Sequence, residues 1–380
     1  MAIKQKELGI YVHIPFCVSK CIYCDFLSMP MDMTTKENYV KALCQEMADF
    51  ADKHRDEYVV KSVFFGGGTP SILPNELMGT IFATLKRGFA FMEECEITVE
   101  CNPGTVDVDK LNFYKNEGVN RLSFGLQSVN NEELKTLGRI HSFEEFIESY
   151  ECAMKVGFSN INIDLMSALP GQTEESWKKT LTKIAMLKPS HISAYSLIIE
   201  EGTPLFDKVE SGEINNLPDE DTERSIYEMT ERILAKNGYH RYEISNYAKA
   251  GMECVHNKIY WQGGDYIGFG LGAASLIGRK RFSNIRNMNE YIENPLSDKE
   301  DVTMLSIPDE MAEFMYLGLR MMEGISYTEF KNRFGRHIMN VYGEVINKYI
   351  GYGFLEETQD GIRLTSRGIN VSNVIFSEFI

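Results

Sequence analysis

The sequence predicts an α/β fold, a partial barrel of six strand–helix units, followed by a helical, winged-helix-like C-terminal domain. Two observations predict the barrel. Six apolar, β-rich runs alternate with helical patterns, and near-continuous apolar runs are typical of parallel strands buried on both faces. Polar or glycine-rich segments follow several of these runs, as expected where strand ends form the active site of a parallel α/β fold.

The strand and helix runs define the first of two domains. The predicted strands are 8–16, 60–65, 96–101, 121–127, 161–169 and 191–199. The predicted helices between them are 36–50, 73–88, 108–117, 142–155 and 174–187. A polar stretch, 279–301, then breaks the pattern. We therefore expect a barrel domain over residues 1–285 and a second domain over residues 286–380.

The second domain has the pattern of three helices and a hairpin. The helices are predicted at 309–322, 326–334 and 337–349, and Gln359-Asp-Gly361 is a hairpin-turn sequence. A winged helix can bind DNA, but a DNA-reading helix needs a basic face. Residues 301–380 contain seven Lys and Arg against eleven Asp and Glu. We expect this domain to pack on the barrel or cover a substrate.

Charge and hydropathy narrow the class of protein. The net charge of −16 disfavours general binding to nucleic acid or to anionic membranes. No apolar run has the length of a membrane span, and the first residues lack the apolar core of a signal peptide. We expect a cytoplasmic protein, in which cysteines stay reduced.

Cys17, Cys21 and Cys24 are spaced as C-x3-C-x2-C directly after the first predicted strand. A [4Fe–4S] cluster usually takes four cysteines, so three leave one iron free for another ligand. A structural zinc site is the alternative, although zinc normally needs a fourth ligand, which His13 could supply. The remaining five cysteines are scattered, and for most of them we expect a buried apolar role.

The cysteine motif carries a family resemblance. Tyr11-x-His-Ile-Pro-Phe-Cys17-x3-Cys21-x2-Cys24 resembles the radical S-adenosylmethionine (SAM) enzymes. The resemblance implies that the three cysteines hold a [4Fe–4S] cluster and that SAM binds the fourth iron. It implies cofactor contacts for Tyr11 and, near the adenine, for Tyr23. Gly67, Gly68 and Thr69, within Gly66-Gly-Gly-Thr-Pro70, fit the contact to the SAM amino group.

Four more side chains complete the predicted SAM site. Glu100, Gln127 and Asp164 belong to the third, fourth and fifth predicted strands, and Arg139 lies in the loop after the fourth. A carboxylate can hold the SAM ammonium or a pair of ribose hydroxyls, and an arginine can bind a carboxylate through two hydrogen bonds. Each residue alone could equally be an ordinary surface or ion-paired group. Their placement at one barrel mouth favours the functional interpretation.

Further motifs resemble the oxygen-independent coproporphyrinogen III oxidase group. They include Arg121-Leu-Ser-Phe-Gly-Leu-Gln-Ser and Leu169-Pro-Gly-Gln-Thr. Two departures from that enzyme favour its HemW branch, which is proposed to act as haem chaperones. The oxidase has a fourth cysteine where this chain has Phe26. It also has a longer segment before its cluster, whereas sixteen residues precede Cys17 here.

The segment His256-Asn-Lys-Ile-Tyr-Trp261 matches the HNxxYW motif of that branch, which is implicated in haem binding. Imidazole is an axial ligand of haem iron, so the resemblance implies a haem role for His256, with Cys254 as a weaker alternative. Without the resemblance, a histidine hydrogen-bonded inside a folded loop is the simpler interpretation.

The resemblance implies a haem-binding chaperone that carries a [4Fe–4S] cluster and SAM and delivers haem to acceptor proteins. An unidentified electron donor and a homodimer are compatible with the sequence. The alternative is an enzyme that decarboxylates coproporphyrinogen III to protoporphyrinogen IX. A radical enzyme with some other substrate is a weaker third interpretation. No catalytic residue is assigned, and turnover of SAM is left open.

Overall fold

A computed structural model describes residues 5–380 of the chain. It contains one 12-stranded sheet, in the order β12-β11-β10-β9-β1-β2-β3-β4-β5-β6-β8-β7, and one three-stranded sheet, in the order β13-β15-β14. The strands are β1 (Lys6–Ile14), β2 (Tyr58–Gly67), β3 (Ala90–Cys101), β4 (Arg121–Gln127), β5 (Asn160–Ser167), β6 (His191–Ser196), β7 (His240–Glu243), β8 (Asn246–Ala248), β9 (Tyr266–Phe269), β10 (Ala274–Ile277), β11 (Lys280–Ser283), β12 (Glu300–Met304), β13 (Ile325–Ser326), β14 (Leu355–Glu357) and β15 (Gly361–Leu364).

Helices connect the strands and cover the sheets. They are α1 (Met33–His54), α2 (Asn75–Gly88), α3 (Val108–Glu117), α4 (Asn131–Thr136), α5 (Phe143–Val156), α6 (Glu174–Leu187), α7 (Pro204–Glu210), α8 (Glu220–Lys236), α9 (Val255–Trp261), α10 (Met288–Glu293), α11 (Ile307–Gly318), α12 (Tyr327–Phe334), α13 (Met339–Gly351), α14 (Ser366–Ile369) and α15 (Ser372–Ser377).

Strands β1 to β6 are parallel, and each crosses to the next through at least one helix. This confirms the predicted α/β fold with its six strand–helix units. The sheet continues beyond the barrel on both sides. On one side β9 pairs in parallel with β1, and on the other β8 pairs antiparallel with β6 and β7 pairs antiparallel with β8.

The two faces of the barrel strands differ in chemistry. In β1 the side chains of Leu8, Ile10, Val12 and Ile14 are fully buried in the main apolar core. The alternating positions point to the other face, as strand geometry requires. On that face Tyr11 and His13 contact polar groups instead. The interior of the barrel is therefore polar, while the layer between strands and helices is apolar.

The stretch predicted as a break, 279–301, contains β11, α10 and the start of β12. All five residues of β12 are exposed, so the strand needs no apolar pattern. β12 pairs with β11 at the edge of the large sheet, which is where a strand can stay polar. The domain boundary predicted at 285/286 stays a prediction.

The C-terminal helices and the three-stranded sheet enclose a core of their own, which includes Met315, Phe330, Ile346 and Ile362. This arrangement bears out the predicted helices and hairpin. The unit contacts the barrel through helix α9. Arg320 stacks over the ring of Trp261 at 4.4 Å, and Arg333 donates to the carbonyls of Gln262 and Gly263 at the end of α9.

Within residues 5–380, none of the helices combines the length and the apolar character that crossing a bilayer requires.

Candidate functional site

The carboxyl ends of the parallel strands surround a cavity of about 480 Å³. Most of the predicted site residues line it: Cys17, Cys21, Tyr23, Cys24, Gly67, Gly68, Thr69, Glu100, Gln127, Arg139 and Asp164. Tyr11 and His256 are not among the lining residues. The structure thus brings together the side chains that come from the loop after β1, the glycine segment after β2 and the ends of β3 to β5.

The cysteine loop is tied back onto β1. Met29 donates to the carbonyl of Pro15 at 2.9 Å, and Cys17 donates to the carbonyl of Met29 at 3.2 Å. Within the loop, Cys24 donates to the carbonyl of Cys21 at 3.2 Å. These bonds hold the three thiols half-buried at the mouth of the cavity. Burial raises the pKa of the Cys24 thiol, and negative charge on Cys21 or Cys17 would raise it further.

The cysteine thiols lie among hydrogen-bond donors of the cavity. No group of three or more His, Cys, Asp or Glu side chains within the described chain is arranged around a single metal ion. Two thiols already receive hydrogen bonds, Cys17 from the hydroxyl of Thr69 and Cys21 from the guanidinium of Arg139, both at 3.6 Å. Donors to sulfur are a standard feature of iron–sulfur sites.

The glycine segment packs against the cysteine loop without side chains. A Cβ on Gly68 would lie 2.6 Å from the carbonyl oxygen of Phe16, and a Cβ on Gly67 would lie 2.5 Å from the ring of His13. Gly67 also has a φ of +110°, which favours glycine. Thr69 donates its N–H to Phe16 at 2.7 Å. Only glycine allows the two loops to approach this closely.

Two carboxylates, Glu100 and Asp164, line the same cavity as the thiols. Asp164 accepts hydrogen bonds from Ser123 at 2.9 Å and from Asn162 at 2.8 Å. Burial raises the pKa of Glu100 to about 8, and the negative charge of Asp164 adds to the shift. The backbone N–H of Gly67 and the charge of Arg121 lower this pKa only in part. The site therefore favours a cationic or hydroxyl-bearing ligand.

Gln127 has an unusual backbone at the end of β4. Its φ is +72°, beside a register shift between Gly125 and Gln127. A residue other than glycine rarely adopts this conformation, and such residues cluster at functional sites. The hydroxyl of Tyr195 donates to Oε1 of Gln127 at 3.0 Å and fixes the amide.

The buried Nε of Arg139 has no hydrogen-bond partner within residues 5–380. The Nη atoms of Arg139 bond Cys21, Asn102 and the carbonyl of Gly125. A buried arginine donor left unpaired is costly unless a ligand completes it. This observation fits a carboxylate-bearing ligand such as SAM.

Asn102 and Tyr195 are among the polar lining residues that were not predicted from the sequence. Asn102 directly follows the third predicted strand. Tyr195 lies in the middle of the predicted strand 191–199, and it comes close to a strand end only because β6 stops at Ser196. The hydrogen bonds that make both residues part of the site depend on the folded loops.

Tyr11 and His256 lie deeper, inside the barrel. Tyr11 bonds Nδ1 of His13 at 3.0 Å, and Nε2 of His13 bonds the carbonyl of Leu27 at 2.8 Å. Because a carbonyl only accepts, Nε2 of His13 carries the proton and Tyr11 is the donor to Nδ1. Through His13, Tyr11 is therefore linked by hydrogen bonds to Leu27 at the end of the cysteine loop.

Both ring nitrogens of His256 are engaged. Nδ1 lies 2.8 Å from the hydroxyl of Ser62, and Nε2 lies 2.8 Å from the hydroxyl of Tyr260. The side chain is 1% exposed, and burial, aided by the positive charge of Arg121, lowers its pKa to about 3. The structure thus places the HNxxYW segment, which lies on helix α9, against the barrel interior, and His256 is not among the residues that line the cavity.

Comparison with known proteins identifies two segments of the chain. Residues 11–184 match the radical SAM superfamily, and residues 305–371 match the HemN C-terminal domain. The chain is 34% identical to the heme chaperone HemW of Lactococcus lactis, over 99% of this chain and 98% of that protein. It is 35% identical to HemW of Escherichia coli, over 100% of this chain and 99% of that protein.

A solved structure has the same fold. Coproporphyrinogen III oxidase (HemN) from Escherichia coli, a radical SAM enzyme, superposes with a TM-score of 0.85. The match covers 100% of this chain and 91% of that chain at 24% sequence identity. At this identity the match supports the shared architecture, a partial barrel with the helical C-terminal domain.

Proposed function

We propose that this chain, which belongs to the HemW heme chaperone family within the radical SAM superfamily, binds haem and delivers it to acceptor proteins. The observation that carries the proposal is the full-length similarity to HemW proteins, which extends through the C-terminal domain. Phe26 supports it. Where the oxidase group has a fourth cysteine, this chain has an apolar ring that is 67% exposed at the mouth of the cavity.

The cofactors of the family fit the residues of the cavity. Cys17, Cys21 and Cys24 would hold a [4Fe–4S] cluster, which leaves one iron for SAM. Such a cluster, once reduced, would supply an electron for the cleavage of SAM. The donors from Thr69 and Arg139 already point at two of the three sulfur atoms. The remaining task of the chain is to position SAM and exclude water from it.

Each chemical group of SAM has a suitable partner among the lining residues. Gly67, Gly68 and Thr69 would contact the amino group, and the unpaired Nε of Arg139 would receive the carboxylate. The carboxylates of Glu100 and Asp164 would accept from the ammonium or the ribose hydroxyls. Gln127, fixed by Tyr195, would add an amide contact, and Tyr23 would lie near the adenine.

Haem ligation by His256 would require a local rearrangement. Either the bond to Ser62 or the bond to Tyr260 must break before a ring nitrogen can reach an iron. The neutral ring, with its pKa lowered to about 3, would be in the correct protonation state. His256 and Tyr11 keep their predicted cofactor roles as proposals, with Tyr11 acting through His13 and the cysteine loop.

The oxidase function is the less favoured alternative. The fold alone is common to both groups, and fold does not determine reaction. We further propose a cytoplasmic location, an unidentified electron donor that reduces the cluster, and a homodimer.

Equilibrium haem titration tests the proposal. The protein, reconstituted with its cluster under anaerobic conditions, is titrated with haem and followed by the Soret absorbance. A saturable transition at one haem per chain supports the proposal. Absence of saturation, with haem absorbing as it does in buffer, contradicts it.

A further inference from the structure

Three side chains form a continuous hydrogen-bonded bridge between two cysteine thiols. The Thr69 hydroxyl donates to Sγ of Cys17, and Nη1 of Arg139 donates to Sγ of Cys21, both at 3.6 Å. Asn102 lies between the two donors. Its Nδ2 donates to Oγ1 of Thr69 at 3.1 Å, and its Oδ1 accepts from Nη2 of Arg139 at 3.0 Å.

The chemistry of the three groups fixes the direction of every bond in this bridge. Arginine has donors only, so the side of the Asn102 amide that faces Arg139 must be the oxygen. The amide nitrogen then faces Thr69 and occupies a lone pair of its hydroxyl. The hydroxyl hydrogen of Thr69 is thereby left to point at Cys17. Asn102 thus orients the donor to Cys17 and anchors the donor to Cys21.

The backbone holds Asn102 rigidly at this position. It follows Cys101, the last residue of β3, and begins the turn Asn102-Pro-Gly-Thr105. The N–H of Thr105 donates to the carbonyl of Asn102 at 3.1 Å, and Gly104 has a φ of +77°. Proline and then a positive-φ glycine are the residues of a type II turn. The N–H of Asn102 donates to Ser71 at 3.3 Å.

We propose that Asn102 is a positioning residue for the cluster and sets its reduction potential through Thr69 and Arg139. Hydrogen bonds to the ligand sulfurs withdraw negative charge from an iron–sulfur cluster, which favours the reduced form. Losing the bridge therefore lowers the potential and makes the cluster harder to reduce. The inference rests on the cluster and is independent of haem delivery.

The test is an anaerobic redox titration of the reconstituted protein, with the EPR signal of the reduced cluster as readout. In Asn102→Ala we expect the ratio of reduced to oxidised cluster at a fixed potential to fall roughly tenfold, equal to about 59 mV for one electron. Thr69→Val, which removes the donor to Cys17, shifts the potential in the same direction. Thr69→Ser keeps the hydroxyl and retains the parent potential.

Asn120→Ala is the matched control, since Asn120 also uses both ends of its amide, bonding Ile97 and Cys95. It lies just before β4, at the other end of the strands, and its loss leaves the potential unchanged. An Asn102→Ala protein with full iron content and the parent potential overturns the proposal. If Asn102→Ala does not assemble a cluster, the reduction potentials of Thr69→Val and Thr69→Ser are compared instead. Equal potentials in these two variants overturn the proposal. The redox titration does not involve haem. A negative haem titration would therefore contradict the proposed function without affecting this test of Asn102.

Discussion

The negative charge of Asp164 helps to keep Glu100 protonated, because both carboxylates face one cavity from neighbouring parts of the barrel. Burial is the larger cause, and together the two raise the pKa of Glu100 to about 8 from an ordinary value of 4.5. In the ligand-free protein, Glu100 therefore retains a proton at neutral pH that the unfolded chain has lost. This difference in protonation makes the stability of the protein depend on pH.

We predict that ligand-free wild type loses stability relative to Glu100→Gln as pH rises from 5 to 8. In this range the folded state binds one proton more than the unfolded state, so raising the pH favours unfolding, by about 1.4 kcal/mol per pH unit at most. Above about 8 the difference levels off. Thermal midpoints measured from pH 5 to pH 9 check this. In an Asp164→Asn background, the stability difference caused by Glu100→Gln should level off at a lower pH. A stability difference between wild type and Glu100→Gln that stays constant from pH 5 to pH 9 contradicts the prediction.

The second prediction concerns the glycine segment. Gly67→Ala should destabilise the protein and weaken SAM binding, because its Cβ would lie 2.5 Å from the ring of His13 and its φ is +110°. Gly212→Ala is the control, with a φ of +75° and no atom within 4 Å. The control substitution should lower the free energy of unfolding by about 1–2 kcal/mol, because alanine is strained at a positive φ. Gly67→Ala should lower it by about 1–3 kcal/mol more, because its methyl group also overpacks against His13. Equal losses of unfolding free energy in the two variants would exclude the close approach of Gly67 to His13.

The third prediction tests the cluster ligands. Cys21→Ala should lose the [4Fe–4S] absorbance of the reconstituted protein, because two thiols cannot hold the cluster. Cys152→Ala is a matched control, since Cys152 lies on α5, outside the cavity, and packs against the apolar core. It should retain the iron and sulfide content of wild type. A complete cluster in Cys21→Ala would remove this residue from the ligand set.

The fourth prediction concerns the route by which His256 could bind haem. We expect His256→Ala to weaken haem binding or change its Soret spectrum. If Nε2 is the ligand, Tyr260→Phe should strengthen binding by about fivefold, since it removes a hydrogen bond of about 1 kcal/mol that competes with iron. Ser62→Ala should have a smaller effect, because it frees Nδ1 only. An unchanged titration for His256→Ala would leave His256 as an internal hydrogen-bonded residue.

The barrel was predictable because its six parallel strands are largely buried and carry apolar side chains on the face that packs against the helices. Residues 121–127, for example, are predicted as a strand and form β4 with the same bounds. β12 was missed because an edge strand with every residue exposed has no apolar pattern. In β3 the first residues, from Ala90, were missed because they are mostly exposed and include two adjacent glutamates.

The cavity was predictable to the extent that strand ends reveal it. Glu100, Gln127 and Asp164 stand at or near the ends of successive parallel strands, and such ends meet at one edge of a sheet. The bridge through Asn102 was not predictable, because it depends on how three loops from different units approach each other. The placement of His256 depends likewise on the way α9 packs against Ser62 of β2. No local pattern specifies that contact.

The proposed function requires that this chain handle haem and not make protoporphyrinogen IX, the haem precursor. The most direct measurement is an anaerobic incubation of the cluster-loaded protein with SAM, a strong reductant and coproporphyrinogen III, analysed for porphyrinogen products by chromatography. An authentic oxygen-independent oxidase in a parallel reaction shows that the conditions support turnover. Coproporphyrinogen III should be recovered unchanged from the reaction with this chain. Formation of protoporphyrinogen IX at a rate comparable to that of the oxidase would contradict the proposed function.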